Sequence, residues 1–243
     1  MNRVKTAVAF FITGIAVLVF TPIAFVLLVI SLFNLKQFAG FVLYKLAQVW
    51  AMMVIIIIGC PMTVTGRENI PKKGGICFVS NHVGIFDIIL ALVYIGRPFG
   101  FIAKKELLLV PGINIWIYLL GGYFIDRKQP SKALKTINRG IKRIKAGGSM
   151  LIFPEGTRSK GRGLASFHPG SLKLASHSDG LIVPVAISGS FDVFEKNYFV
   201  NAVPVYMSFL PPVDPAILPP LDRKILLANK LHDVIEEALK QHH

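Results

Sequence analysis

The stretch GICFVSNHVGIFDIILAL, residues 75–92, decides the fold of this 243-residue chain. A short apolar run at 76–79 is followed by the polar residues 80–82, and from Ile85 onward apolar residues recur at helical spacing. The pattern predicts a strand that enters a helix through a tight loop. His82 stands at the junction.

Asp87 follows His82 by five residues. Within one regular helix, two residues at this separation face directions about 140° apart. If Asn81 caps the helix and His82 lies at or before its first turn, the two side chains can converge. A carboxylate that accepts one ring N–H of histidine leaves the other nitrogen free to take a proton, as a general base requires. The alternative is a helix-capping histidine beside a surface acid, and this pair alone does not decide between them.

The composition indicates a membrane-associated protein. Hydrophobic residues make up 53% of the chain, charged residues only 16%, and the mean hydropathy is +0.59. These values are too apolar for an ordinary soluble enzyme. The length suits one catalytic domain with an attached segment.

Two uncharged runs dominate the N-terminal region. The first extends over residues 6–35, which is longer than the roughly 20 residues needed to cross a bilayer core, and the second extends over 46–66. We predict a helical hairpin in the membrane, with helices at about 6–32 and 37–60. The predicted division is therefore a membrane-embedded hairpin in residues 1–62 and an α/β domain in residues 63–243.

A cleavable signal peptide is the alternative for the N-terminus. Arg3 and Lys5 fit its basic start, but the apolar run exceeds the usual 7–15 residues and no small-residue cleavage site follows. A hairpin returns the chain to the side where it began. With basic residues at its start and a basic domain after it, the positive-inside rule predicts a cytoplasmic catalytic domain on the inner membrane. Whether the hairpin crosses one leaflet or both stays open.

Beyond the hairpin, short strand patterns alternate with helical patterns. Strands are predicted near 76–80, 99–103, 122–126, 149–153 and 181–187, and helices near 85–95, 110–120, 131–146 and 169–177. A further strand is predicted within 204–213 and a closing helix within 222–240. This alternation predicts an α/β fold with a largely parallel sheet flanked by helices.

Four polar residues follow predicted strands: His82, Lys104, Arg127 and Glu155. Since sites in parallel sheets form at the carboxyl ends of the strands, these residues are candidates for one shared crevice.

The charge distribution bears on the partners of the chain. All 13 acidic residues lie after residue 66, together with 23 of the 27 lysines and arginines, so this part has a net charge of +10 (23 minus 13). Such an excess suits nucleic acid, anionic lipid or an acidic protein. No RNA-binding or stacking-aromatic signature is present, so membrane lipid is favoured and nucleic acid is not expected.

Metal and nucleotide chemistry are not predicted. The six histidines have no ligand spacing with cysteines or acids, and phosphate-binding glycine loops are lacking. Cys60 and Cys77 stand among apolar residues and are expected to be buried free thiols without a catalytic role.

Five sequence blocks carry a resemblance to a known family. In chain order they are NHVGIFD (81–87), AKKEL (103–107), GYFIDR (122–127), FPEGTRS (153–159) and IVPVAI (182–187). Together they resemble the glycerophosphate and lysophospholipid acyltransferases, and within that family the 1-acyl-glycerol-3-phosphate acyltransferases. The resemblance covers roughly residues 75–190, and its combination of H-x4-D with F-P-E-G-T-R is specific.

The resemblance implies transfer of an acyl chain from a thioester to the sn-2 hydroxyl of 1-acyl-glycerol-3-phosphate, a lysophosphatidic acid, to give phosphatidic acid. We predict that His82 is the base and that Asp87 orients it, with no covalent acyl-enzyme. Acyl-CoA or acyl carrier protein is the implied donor, and no cofactor is expected.

The resemblance also assigns the acceptor site. Lys104, Arg127 and Arg158 match the phosphate-handling positions, and Glu155, Gly156 and Thr157 belong to the same acceptor-binding block. For Arg127, a structural ion pair with Asp126 or another acid is the alternative.

One departure and two alternatives remain. The family usually has a hydroxyl or amide residue where this chain has Gly84, so another lysolipid acceptor, such as a lyso-aminolipid or lysophospholipid, stays open. The second alternative is a non-catalytic lipid-binding membrane protein. Such a protein would have no physical need for a base with an orienting carboxylate.

Overall fold

A computed structural model describes residues 2–241, in which an N-terminal pair of helices precedes alternating strands and helices. The α-helices are α1 (Asn2–Ile30), α2 (Lys36–Ile58), α3 (Phe86–Tyr94), α4 (Ile113–Leu119), α5 (Pro130–Lys145), α6 (Lys173–Ser176), α7 (Ser190–Val193) and α8 (Arg223–Lys240). The strands are β1 (Met62–Thr65), β2 (Ile76–Ser80), β3 (Phe99–Lys104), β4 (Tyr123–Ile125), β5 (Ser149–Ile152), β6 (Leu181–Ser188) and β7 (Val205–Phe209). Short 3-10 turns cover Arg67–Asn69, Lys105–Leu109 and Pro215–Ile217, and a π-helical segment, Ser31–Leu35, joins α1 to α2.

The strands form one sheet in the order β1-β7-β6-β2-β5-β3-β4. From β6 to β4 the neighbouring strands are parallel. At the other edge, β1 and β7 are parallel to each other, and β7 is antiparallel to β6. The predicted α/β fold with a largely parallel sheet is confirmed, because the five strands predicted from 76–80 to 181–187 are its parallel part.

Helices cover both faces of the sheet, and central strand β2 shows why. Its residues are all buried and alternate in direction. Ile76 and Phe78 pack in a core that includes the N-terminal helices and α3, whereas Cys77 and Val79 pack in a second core with α6 and α8. A strand buried on both faces is apolar throughout, as parallel sheets require.

The helices α1 and α2 pack against each other in antiparallel directions. The Lys5 ammonium, near the start of α1, donates to the carbonyl of Ile58, the last residue of α2, at 2.8 Å. Asn34 in the link has a φ of +62°, a conformation that asparagine tolerates better than most residues. The helical pair predicted from the two uncharged runs is therefore present.

The hairpin also packs on the α/β part. Tyr44 donates to the carbonyl of Leu92 in α3 at 3.3 Å. Gly40 allows a closer approach, since a Cβ at this position would lie 2.5 Å from the carbonyl oxygen of Leu119 in α4. One core cluster accordingly contains side chains of both the hairpin and the sheet.

The outer surface of the hairpin is apolar and exposed. Phe11, Leu18 and Ile56 are 68%, 75% and 70% exposed. The region Asn2–Ile58, which contains α1, the link and α2, is long and apolar enough to cross a membrane, by length and composition. Exposed apolar side chains on such a segment are compatible with a membrane anchor.

Two local expectations differ from the structure. The helix predicted at 169–177 is only the single turn α6, because Pro169 and Gly170 precede it in a series of tight turns. Strand β1 was not expected, since it has four residues at the sheet edge and its alternate side chains are exposed.

Candidate active site

The carboxyl ends of four parallel strands meet at one edge of the sheet, where a cleft of about 630 Å³ opens. His82 follows β2, Lys104 ends β3, Arg127 follows β4 and Glu155 follows β5. Six of the eight predicted site residues line the cleft: His82, Lys104, Arg127, Gly156, Thr157 and Arg158. Of the four residues expected to share one crevice, His82, Lys104 and Arg127 line it and Glu155 does not.

His82 and Asp87 are in direct contact. The imidazole Nδ1 lies 2.7 Å from Asp87 Oδ2. The aspartate is fully buried in the first turn of α3, whereas the histidine side chain precedes the helix and is 19% exposed. Because Nδ1 is engaged by the carboxylate, Nε2 is the ring nitrogen that is left for a substrate.

Asn81 is not the N-cap of α3, which is Ile85. Its side-chain amide donates to the carbonyl of Ile187 and accepts from the N–H of the same residue, both at 2.8 Å. The side chain therefore ties the histidine loop to β6.

Carboxylates hold the backbone of the loop that carries His82. The N–H groups of Val83 and Gly84 donate to Asp87 Oδ2 at 2.7 and 3.1 Å. The N–H of His82 donates to Glu155 at 2.6 Å, and the N–H of Ile85 donates to Glu195. Four successive backbone donors at the start of α3 are thus satisfied by acids, which also suits the positive end of the helix dipole.

The imidazole of His82 is also fixed from one face. It stacks on the ring of Phe153, with ring centroids 4.0 Å apart and an interplanar angle of 18°. Together with the Asp87 contact, the stacking restricts the direction in which the free nitrogen points.

The cleft combines cationic groups with apolar walls. Lys104, Arg127, Arg158 and Lys160 line it, and Glu106 is its acidic member. The apolar lining comes from Ile85, Ile88, Phe101, Ile102, Leu107, Ile125, Ile137, Ile152 and Leu174. An anionic head with an apolar chain would find both kinds of partner here.

The ion pairs in the structure differ from the pair considered above for Arg127. Asp126 pairs with Lys105 at 2.8 Å, so Arg127 is left to donate to the carbonyl of Gly156. Arg158 pairs with Glu195 at 2.6 Å. Within residues 2–241, Lys104 is in no ion pair.

Glu155 lies beneath the cleft and does not line it. Its residue surface is 3% exposed, and its second oxygen accepts from the N–H of Ala165 at 3.1 Å. Burial raises the pKa of Glu155, and the two backbone donors, from His82 and Ala165, oppose that rise only in part. The carboxylate joins the histidine loop to the segment after the F-P-E-G-T-R block.

Three residues of this site were missed by the sequence analysis. Lys160 could have been found, because it follows Arg158 by two residues in a basic loop. Ser190 donates its hydroxyl to the second oxygen of Asp87, and Glu195 contacts Arg158. Ser190 is 103 residues from Asp87 in the chain and Glu195 is 37 residues from Arg158, and no local pattern marks either residue.

Among the described residues, no group of three or more His, Cys, Asp or Glu side chains is placed to hold a metal ion. Cys60 and Cys77 are buried and free. Burial raises the pKa of the Cys77 thiol, which disfavours the thiolate that a nucleophile needs.

Comparison with known proteins gives consistent matches. A family model described as acyltransferase matches residues 61–188. The 1-acyl-sn-glycerol-3-phosphate acyltransferase of Borreliella burgdorferi is 34% identical over 157 residues, which cover 64% of this chain and 63% of the relative. The protein with the same name from Saccharomyces cerevisiae is 32% identical over 194 residues, which cover 76% of this chain and 62% of the relative. The chain thus spans about three fifths of the length of these curated relatives.

A solved structure extends the likeness to almost the entire chain. The 1-acyl-sn-glycerophosphate (LPA) acyltransferase PlsC from Thermotoga maritima superposes with a TM-score of 0.82 at 25% sequence identity. The match covers 99% of this chain and 95% of that structure.

Proposed function

Because the chain belongs to the acyltransferase family, we propose that it moves an acyl chain from a thioester to the sn-2 hydroxyl of 1-acyl-glycerol-3-phosphate. The product is phosphatidic acid, and the reaction belongs to phospholipid synthesis. The observation that carries the proposal is the His82–Asp87 pair at the edge of a cleft lined by lysine and arginine. Relatives named for this reaction support the choice of acceptor.

His82 is the general base in the proposed mechanism. Its Nε2 takes the proton of the acceptor hydroxyl while the hydroxyl oxygen attacks the thioester carbonyl carbon. Asp87 stabilises the imidazolium that forms. When the tetrahedral intermediate collapses, the new C–O bond remains, the C–S bond breaks, and the imidazolium returns the proton to the thiolate. No side chain of the protein carries the acyl group.

The cations of the cleft bind the acceptor phosphate in this proposal. Lys104, Arg127 and Arg158 supply hydrogen bonds to a charged group, each worth about 1.5–3 kcal/mol. Gly156 gives its carbonyl to Arg127 and so helps to orient that side chain, while Thr157 lines the same wall.

For Glu155 we propose a positioning role. Both of its oxygens accept backbone N–H groups, so neither is directed to a glycerol hydroxyl. It holds the histidine loop against the segment that carries Ala165.

The donor is proposed to be acyl-CoA or acyl carrier protein, with no additional cofactor. Thioester chemistry with a base and a thiol leaving group needs no redox or nucleotide step. A carrier protein is acidic, and α5 packs beside β4 through a hydrogen bond from the Thr136 hydroxyl to the carbonyl of Phe124. Its exposed Lys132 and Lys135 lie toward the start of the helix, which follows the carboxyl end of β4.

Residues 1–62 are proposed as the membrane-embedded part and residues 63–243 as the acyltransferase domain. The exposed apolar surface of α1 and α2 supports this division. The positive-inside rule supports a cytoplasmic domain on the inner membrane. An anchored domain meets its lysolipid at the membrane surface, where the acyl tail can remain in the lipid.

The test is thiol release by purified protein in lipid or detergent. Acyl-CoA and acyl carrier protein are supplied in turn, with and without 1-acyl-glycerol-3-phosphate, to wild type and His82→Ala. Release that depends on both the acceptor and His82 is expected. If thiol release occurs only with a different lysolipid, that lysolipid is the acceptor. If no lysolipid gives release, the non-catalytic lipid-binding alternative is favoured.

A further inference from the structure

Glu195 lies against the active-site loop without belonging to any of the sequence blocks above. It follows α7 in the connection between β6 and β7, and its side chain is 15% exposed. One carboxylate oxygen, Oε1, accepts from Arg158 Nη1 at 2.6 Å. The other, Oε2, accepts from the N–H of Ile85 at the start of α3. The carboxylate therefore joins the F-P-E-G-T-R block to the histidine loop.

The position of Glu195 requires the absence of a side chain at residue 84. A Cβ on Gly84 would lie 2.5 Å from Glu195 Oε2 and 3.2 Å from the Cα of Phe191. The φ of Gly84 lies outside the left-handed region, so its conformation is open to other residues. The glycine thus provides space for the carboxylate, whereas the backbone conformation at residue 84 does not require a glycine.

The connection that carries Glu195 is anchored on the hairpin. The N–H of Val200 donates to the Thr6 hydroxyl in α1 at 2.9 Å, and the guanidinium of Arg3 lies 5.5 Å from the centre of the Phe199 ring. Closer to the site, the N–H of Asn201 donates to the carbonyl of Val193 at 2.7 Å. These contacts fix the backbone on the side of Glu195 that faces the membrane helices.

From this geometry we infer that Glu195 is a positioning residue which holds the Arg158 guanidinium toward the cleft, where the phosphate of the acceptor binds. Arginine has five N–H donors, and Glu195 engages one of its nitrogens. The remaining donors are available to an anion in the cleft that Arg158 lines. This inference rests on the proposed function, in which Arg158 binds the acceptor phosphate.

Orientation of Arg158 before binding lowers the entropic cost of capturing the phosphate. An arginine that is 41% exposed would otherwise sample many rotamers, and the binding step would have to order it. Glu195 also carries a negative charge that opposes the phosphate. Because its Oε2 is tied to the N–H of Ile85, the carboxylate stays on the loop side, and we expect the orienting effect to exceed the repulsion.

The test uses Glu195→Gln, which keeps the size of the side chain and removes its charge. The KM for 1-acyl-glycerol-3-phosphate should rise about tenfold, as expected from loss of one ordered long side chain, while kcat changes by less than about threefold. Gly84→Ala, which displaces Oε2 by steric contact, should also raise the KM for the acceptor.

A double-mutant comparison shows whether Glu195 acts through Arg158. In an Arg158→Gln background, which has a raised KM of its own, Glu195→Gln should produce no further rise. Asp192→Asn is the matched control, because this acid lies in the same connection and, among residues 2–241, its ion pair is with Lys196 on the surface, at 3.1 Å. It should leave KM and kcat unchanged, and thermal melting of every variant checks that the fold is kept.

Three results overturn the inference while wild type is active, of which two are a KM for Glu195→Gln that is unchanged and one that is lowered. The lowered value would mean that the carboxylate competes with the phosphate for Arg158. A rise of the same size in the Arg158→Gln background would also overturn it. A wild type that does not acylate 1-acyl-glycerol-3-phosphate refutes the proposed function itself, and this inference with it.

Discussion

Asp87→Asn separates the charge of Asp87 from its geometry. Oδ2 accepts from His82 Nδ1 and from the N–H groups of Val83 and Gly84. In the variant, the amide oxygen must take this place, because an NH₂ group there would face two backbone donors. The hydroxyl of Ser190 can rotate to accept from the NH₂ at the other position. His82 therefore keeps its orientation and its proton on Nδ1, and the change is mainly one of charge.

The magnitude follows from the loss of that charge beside the imidazolium. A hydrogen bond to a charged group contributes about 1.5–3 kcal/mol and a neutral one about 0.5–1.5 kcal/mol. Two opposite unit charges about 4 Å apart interact by about 4 kcal/mol at an effective dielectric constant of 20. A loss of about 1.5–4 kcal/mol in the transition state lowers kcat by roughly 10- to 1000-fold.

The measurement is kcat for thiol release at saturating acceptor, for wild type, Asp87→Asn, Asp87→Ala and His82→Ala. Asp87→Ala should fall close to His82→Ala, because it leaves His82 untethered and two backbone N–H groups without an acceptor. The acceptor KM of Asp87→Asn should be unchanged, since Asp87 is buried and does not line the cleft. Thermal melting checks that each variant is folded.

Two outcomes would refute this reasoning. If folded Asp87→Asn is as inactive as His82→Ala, the carboxylate has a role that an amide oxygen in the same place cannot fill. If kcat is unchanged and the acceptor KM rises, Asp87 acts in binding, and the assignment of His82 as a base oriented by Asp87 is wrong.

Three further substitutions probe the surroundings of this pair. Ser190→Ala leaves one oxygen of Asp87 without its donor and should lower kcat by up to about tenfold at constant KM. Ser178→Ala removes a buried hydroxyl that donates to the carbonyl of Ala175, before the amino end of β6, and should not change kcat. Lys104→Gln should raise the acceptor KM by at least about tenfold with little change in kcat, because a hydrogen bond to phosphate is lost; an unchanged KM would exclude Lys104 from the phosphate site. Burial raises the pKa of Glu155 above its unfolded value, so the folded state binds that proton more tightly. Its ionisation therefore makes stability fall as pH rises from about 4.3 through the folded pKa, and Glu155→Gln should flatten this dependence of melting temperature on pH.

Local patterns in the sequence predict most of the scaffold. The parallel strands are apolar throughout because helices cover both faces of the sheet, and α5 shows a clear apolar stripe. Short stretches of the sequence are therefore enough to identify both the strands and this helix. The positions of two cations of the cleft follow as well. Lys104 and Arg127 come at the ends of strands, and parallel strands bring their carboxyl ends to one edge.

The contacts around His82 and Asp87 are a different case. Ser190 and Glu195 reach the loop of His82 because β6 lies beside β2 in the sheet, and this adjacency is a property of strand order. Nothing in the sequence near residue 190 specifies which strands β6 pairs with. The antiparallel direction of β7 could not be predicted either, since a strand of five residues has the same side-chain pattern in either direction.

The cleft also explains why an amphiphilic acceptor suits this architecture. Its apolar residues Ile88 and Phe101 pack against the same core that receives the hairpin, while Lys104 and Arg158 provide the charged part of its lining. A continuous path of apolar contacts therefore runs from α1 and α2 to the side of the cleft, and the cations lie at the carboxyl ends of the strands. A lysolipid would place its acyl chain along this apolar path and its phosphate on the cations. That arrangement brings the glycerol hydroxyl between them, beside His82, and a small water-soluble phosphate ester would use only the cationic half of these contacts.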